Sequence, residues 1–168
     1  GKEKIQGKIV LYNVKFDKKL AELNQAGAAY GQVTAYRGNG AIEAAKLGAV
    51  GVLVRSAGGS QNRVAHTGGM RYADGVNKIP AASVTYEDAE LIAYLAKMGK
   101  VKMKLTLTPK SYPDTTSYNV LADLKGSEKS DEIIVVGGHL DSWDLGTGAL
   151  DDAVGVAMAM QTLYSIKE

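Results

Sequence analysis

Between positions 139 and 152 the sequence gathers one imidazole and several carboxylates: the stretch GGHLDSWDLGTGALDD carries His139, Asp141, Asp144, Asp151 and Asp152. Imidazole plus carboxylate is a donor set for a divalent cation, and the nitrogen ligand favours zinc over harder ions. His139 and Asp141 stand two apart, so on a continuing strand both project to the same side, a ligating imidazole with a carboxylate beside it to orient the ring. The plainer reading of Asp151 and Asp152 is capping, because an Asp just before a helix commonly satisfies its free N–H groups.

Other chemistries find no support. Cysteine is absent, which removes disulfide scaffolds, thiolate zinc sites and cysteine nucleophiles and leaves the redox compartment open. His66 and His139 are the only histidines, so there is no HExxH helix, and Ser56 and Ser142 lack the Gly-x-Ser-x-Gly frame of a nucleophile elbow. GTGALD at 146–151 opens like a dinucleotide loop but places Asp151 where the third Gly belongs, and a carboxylate there opposes a pyrophosphate. His66, within a glycine-rich stretch, reads as a surface residue.

Twenty Lys and Arg against 18 Asp and Glu give a net charge of +2, spread along the chain, so no nucleic-acid footprint is expected. No window approaches the roughly 18 uninterrupted apolar residues of a membrane span.

The carboxylate cluster needs elements to hold it. Ile133–Val136 is a continuous apolar run, expected to be a strand buried on both faces of a mainly parallel sheet. A helix is expected from about Ala153 to Ile166, so the cluster lies at a strand's C-terminal edge, where open α/β sheets bind ligands. Earlier in the chain, Lys8–Tyr12 predicts a strand, Lys18–Ala29 a helix, Gly40–Leu47 a second helix capped by Asn39, and Val50–Val54 a buried strand. Ser56–Asn77, with paired glycines at 58/59 and 68/69, predicts a long surface loop. Ile79–Val84 predicts a strand, and Thr85 with Asp88 forms a capping pattern opening a helix through Met98 that Gly99 stops. Val101, Met103, Leu105 and Leu107 alternate with polar residues, which predicts a half-buried strand. Pro109 and Pro113 bracket a composition break taken as the domain boundary. The expected class is α/β in two parts, residues 1–110 and 111–168.

At IVVGGHLDSWDLGTGALDDAVG the residues resemble the co-catalytic di-zinc exopeptidases of the aminopeptidase and glutamate carboxypeptidase type, above all the plasma glutamate carboxypeptidase branch. The resemblance implies that His139 binds one zinc, that Asp141 orients it, and that Asp151 bridges both ions. Asp152 is implied as a supporting residue that helps hold an unusual backbone geometry, while Asp144 carries no implied role. GKIVLY, GAVGVLV and IPAASVTYEDAELI are similar, in order and spacing, to the protease-associated insert of such enzymes. The implied fold is therefore a protease-associated domain, with a mixed β-sheet and flanking helices, followed by the opening strands and first helix of a zinc-exopeptidase α/β domain.

The same resemblance implies a peptide or dipeptide substrate, a secreted or periplasmic home, and compatibility with a homodimer. It also calls for a Glu pair, a further acidic ligand and a second His downstream. Beyond Asp152 the sequence offers one carboxylate, Glu168, and no His. The expectation is thus a fragment of a zinc exopeptidase, inactive by itself and weak in zinc binding. The alternative is a non-catalytic protease-associated module that binds a partner or shapes substrate access.

Overall fold

A computed structural model describes residues 2–59, 62–143 and 146–167. It divides into two compact units, Gly1–Ser111 and Tyr112–Glu168.

The first unit is built around three parallel strands, β1 (Ile9–Tyr12), β2 (Gly51–Arg55) and β3 (Ala81–Val84), in the order β1-β2-β3. Ile9 pairs with Gly51, and Val52 with Ala81. The central strand β2 is buried along its whole length, which suits its Val-Leu-Val run and explains why it shows no polar alternation. Around the sheet lie α1 (Lys2–Ile5), α2 (Lys18–Glu22), α3 (Ala26–Lys46) and α4 (Tyr86–Met98). Ala41, Ala44, Ala49, Val52, Val54 and Ile79 form the core.

α3 departs from expectation. The sequence predicts a helix ending near Ala29 and a second one starting after Asn39, whereas the chain turns at Leu23–Gln25 and then runs as one helix through Asn39. Asn24 takes a left-handed conformation (φ 60°) after Asp17 has capped α2, accepting from Leu20 N at 3.0 Å. The glycines inside α3 cost roughly 1 kcal/mol each against Ala. Burial of the face carrying Ala29, Val33, Gly40, Ala41 and Ala44 outweighs that cost. Packing against β1 requires glycine at position 40, because a Cβ there would lie 2.7 Å from Tyr12 Cε2 and the bare Cα lets the ring lie against the helix. The Tyr12 hydroxyl then donates to Gly40 O at 3.1 Å.

α4 follows its sequence signals. Thr85 Oγ1 accepts from Asp88 N at 3.0 Å, and Gly99 closes the helix. The loop between β2 and β3 has no regular structure among its described residues, and Ser60 and Gln61 within it lie outside them.

Residues 101–108 join no strand, contrary to their alternating pattern, and Val101, Met103 and Leu107 remain exposed. Period-two alternation states which face would be buried but supplies no ladder partner. The sheet is accordingly parallel throughout among the described residues, where a mixed one was expected.

In the second unit the described residues contain one helix, α5 (Val154–Lys167), led in by a wide turn, Ala149–Ala153. The opening strands expected here are not formed: Ile133, Ile134 and Val135 are 85%, 91% and 85% exposed. An apolar run becomes a buried strand only when neighbours pair with its backbone and cover its faces. Among the described residues of this unit no strand is present to do so.

Candidate metal centre

The second unit brings His139, Asp141, Asp151 and Asp152 together by two turns. Gly148 adopts a left-handed conformation (φ 65°) in the approach to α5. A Cβ on it would lie 2.7 Å from Ser142 Cβ, so only glycine suits this close, left-handed bend. Asp151 and Asp152 follow with non-helical dihedrals, and the peptide bond between them is cis. Ala153 N donates to Gly148 O at 2.9 Å, after which α5 continues regularly.

His139 Nδ1 lies 2.9 Å from Asp141 O and 3.1 Å from Asp141 Oδ1. Both partners are acceptors, so Nδ1 carries the proton. Nε2 lies 2.8 Å from Asp151 Oδ1. Two residues that no strand aligns therefore still meet at one ring, with Asp141 bonding through backbone and side chain alike. The Asp151 carboxylate raises the His139 pKa above its ordinary value, and the Asp141 carbonyl adds to the effect. His139, Asp141 and Asp151 are all exposed, so water screens these charges and the ion pairs hold the turn only lightly.

Asp152 faces the other way. Its Oδ2 accepts from the His139 backbone N at 3.2 Å. The hydrogen bonds of the two carboxylates go to His139, that of Asp151 to its ring and that of Asp152 to its backbone N–H. A shallow cleft of about 130 Å³ is lined by His139, Asp141, Ser142, Gly148, Asp152 and Val156, among others.

The donor chemistry suits a divalent cation. Both ring nitrogens face acceptors, Nδ1 those of Asp141 and Nε2 the Asp151 carboxylate, so a cation would take the place of the Nε2 proton between ring and carboxylate while Asp141 holds Nδ1. Among the described residues, however, no group of three or more His, Cys, Asp or Glu side chains converges as a complete cage. Asp144 and Glu168 lie outside the described residues.

His66 is exposed and belongs to a different arrangement in the first unit. Its Nε2 lies 2.7 Å from Tyr30 Oη, and its backbone N donates to Ser56 Oγ at 2.9 Å. Burial, with the Arg37 charge second, lowers its pKa. Sequence patterns did not single out Gly138 and Gly155, whose bare Cα atoms allow Asp152 its place. The doubled glycine before His139 and a glycine in the first turn of a helix were the available signals.

Comparison with known proteins bears on this stretch directly. The sequence model of Peptidase family M28 matches residues 119–168. Carboxypeptidase Q of Mus musculus is 42% identical over 164 residues, 97% of this chain and 33% of that protein. Leucine aminopeptidase 2 of Arthroderma otae is 30% identical over 158 residues, 89% of this chain and 28% of that protein. Among solved structures, the Peptidase M28 precursor from Shewanella amazonensis SB2B matches with a TM-score of 0.67 and 38% identity, over 87% of this chain and 37% of that one. The chain spans about a third of the length of these curated relatives. This mixed α/β chain with a small parallel sheet thus matches peptidase family M28 over the stretch that carries His139, Asp151 and Asp152, and is similar to Carboxypeptidase Q over most of its own length.

Proposed function

We propose that this chain is part of a zinc-dependent exopeptidase that removes residues from a peptide chain end. His139 Nε2 and Asp151 are proposed as metal ligands, Asp151 as the bridge between two ions, Asp141 as the group that orients His139, and Asp152 as a supporting residue. The observation that carries this reading is the single imidazole held between two carboxylate residues, Nδ1 on Asp141 and Nε2 2.8 Å from Asp151 Oδ1.

Zinc bound there supplies Lewis acidity, polarising a carbonyl and acidifying water. The chain's own residues do the positioning. Asp141 holds Nδ1 and so orients the ring, and Nε2 would ligate once a cation displaces the proton it shares with Asp151. Asp151 contributes negative charge that balances a cation, and the cleft beside Ser142 and Gly148 gives a carbonyl room to approach.

Residues 1–110 are proposed as a protease-associated domain that shapes access, and 111–168 as the opening part of the catalytic domain. A secreted or periplasmic setting goes with this reading; no described helix is long and apolar enough to cross a membrane. With one imidazole and one carboxylate as donors, these residues alone are not expected to hydrolyse peptides.

The test is zinc titration by calorimetry with peptidase turnover, run on this chain beside the full-length protein. Zinc-dependent turnover in the full-length protein, lost in His139→Ala and Asp151→Ala, is the expected result. Absence of both zinc binding and turnover there would transfer the assignment to a non-catalytic binding module.

A further inference from the structure

We propose that Gly155 and Gly138 are positioning residues for His139, acting by leaving a notch that seats the Asp152 carboxylate against the His139 backbone amide. The inference rests on the metal-site reading only for its purpose, since the clamp itself is made of contacts within the chain.

The Asp152 carboxylate fills a space that two glycines keep open. A Cβ on Gly155 would overlap Asp152 Oδ1 and lie 2.7 Å from its Cγ. A Cβ on Gly138 would lie 2.7 Å from Val156 N, 2.8 Å from Asp152 Oδ2 and 2.9 Å from the Gly155 carbonyl carbon. The segment before His139 and the first turn of α5 therefore approach backbone to backbone. In the gap, Asp152 Oδ2 accepts the His139 N–H at 3.2 Å, a bond strengthened by the acceptor's charge. No strand pairing supports residues 133–139 among the described residues, so this bond ties the His139 backbone to the turn that leads into α5 at Val154. It thereby sets where Nε2 stands relative to the Asp151 carboxylate.

The two glycines differ in how they respond to a methyl group. At Gly138 the obstruction is backbone and cannot yield without moving the segment. At Gly155 it is the tip of a side chain, which can swing aside. Gly155→Ala thus evicts the carboxylate while favouring α5, because Ala is the better helix former. A purely structural role for Gly155 and a positioning role predict opposite outcomes for this variant.

The experiment is NMR of the 168-residue chain, reading the His139 amide proton and ring nitrogens in wild type, Gly155→Ala, Asp152→Ala, Asp152→Asn and the Gly155→Ala/Asp152→Ala double variant, with helix content by circular dichroism. The expected result is a downfield, carboxylate-bonded His139 amide that is lost in Gly155→Ala and Asp152→Ala. It is retained in Asp152→Asn, which keeps an acceptor, and the double variant matches Asp152→Ala alone, with helix content undiminished. A wild-type amide at its random-coil position, an amide unmoved by Gly155→Ala, or additive losses in the double variant would overturn the proposal. Zinc is then added to wild type: a shift of Nε2, weakened about tenfold or more in Gly155→Ala, supports the purpose assigned to the clamp. Absence of any shift in wild type refutes the metal reading alone, since the metal-free amide data judge the clamp separately.

Discussion

Arg55, at the C-terminal end of β2 and only 3% exposed, gives its charge to Glu90 on α4 through a hydrogen bond from Nη1. The same nitrogen donates to Asn13 Oδ1 at 2.8 Å. The Tyr86 ring lies 3.8 Å from the guanidinium carbon, and Lys15 approaches Glu90 at 3.4 Å. A buried charge at the end of a central strand is tolerable only when it is paired, and here the partners come from the segment after β1 and from α4. The pair thus ties three elements of the first unit to one edge of the sheet.

Glu90→Gln is expected to destabilise the first unit by about 2 kcal/mol, because it leaves the Arg55 charge buried without a counter-charge. The figure sits below that for a fully buried pair because Glu90 is partly exposed. Arg55→Met combined with Glu90→Gln should recover much of the loss. Urea denaturation of the two variants checks this, and an unchanged midpoint in Glu90→Gln would refute the assignment.

The Arg55 hydrogen bond holds the Glu90 carboxyl below its ordinary pKa of 4.5. A carboxylate depressed in the folded state binds its proton more readily when unfolded. Its contribution is therefore complete above about pH 4.5 and is lost as the pH falls through the lowered folded value. Urea midpoints of the first unit measured from pH 7 to 3 should decline more steeply in wild type than in Glu90→Gln over that acid range.

Gly40→Ala should cost stability in spite of Ala's better helix propensity. The gain of about 1 kcal/mol is opposed by displacement of the Tyr12 ring, an overpacking cost of roughly 1–3 kcal/mol. Tyr12→Phe should lose about 1 kcal/mol with the hydroxyl bond to Gly40 O. Thermal melts of both variants test the contact from its two sides.

The chain by itself should bind zinc weakly, at micromolar concentrations or above, because His139 and Asp151 supply two donors and no preformed cage. His139→Ala should abolish what binding there is. Calorimetric titration giving submicromolar affinity that depends on His139 would contradict the expectation.

Backbone amides of 133–136 should exchange quickly, while those of Gly51–Arg55 should be slow. The first set is exposed and unpaired; the second is the buried centre of a parallel sheet. Exchange protection follows buried, hydrogen-bonded backbone. Uniformly strong protection across both units in a monomer would show that 133–136 pairs after all.

The local elements were legible wherever the signal and its cause lay close together in the chain. The Thr85 and Asp88 cap, the Gly99 stop, the Val-Leu-Val run of β2 and the start of α5 are each decided within a few residues, and each stands where its sequence pattern puts it. The donor cluster at 139–152 was legible for the same reason, as a set of residue types whose chemistry does not depend on the fold. What only the tertiary structure decided required a partner distant in sequence. Glycines inside α3 stay helical because a buried face meets the sheet and Tyr12 needs Gly40 bare. The apolar runs at 101–108 and 133–136 remain unpaired because a strand is a property of two backbones, and alternation or hydrophobicity in one cannot create the other. Arg55 reads in sequence as the end of an apolar run and becomes a buried ion pair only when α4 brings Glu90 to it. In the same way, the role of Asp152 follows from a glycine three positions later and a backbone amide thirteen positions earlier, a relationship fixed by how closely two segments can approach and not by any pattern along the chain.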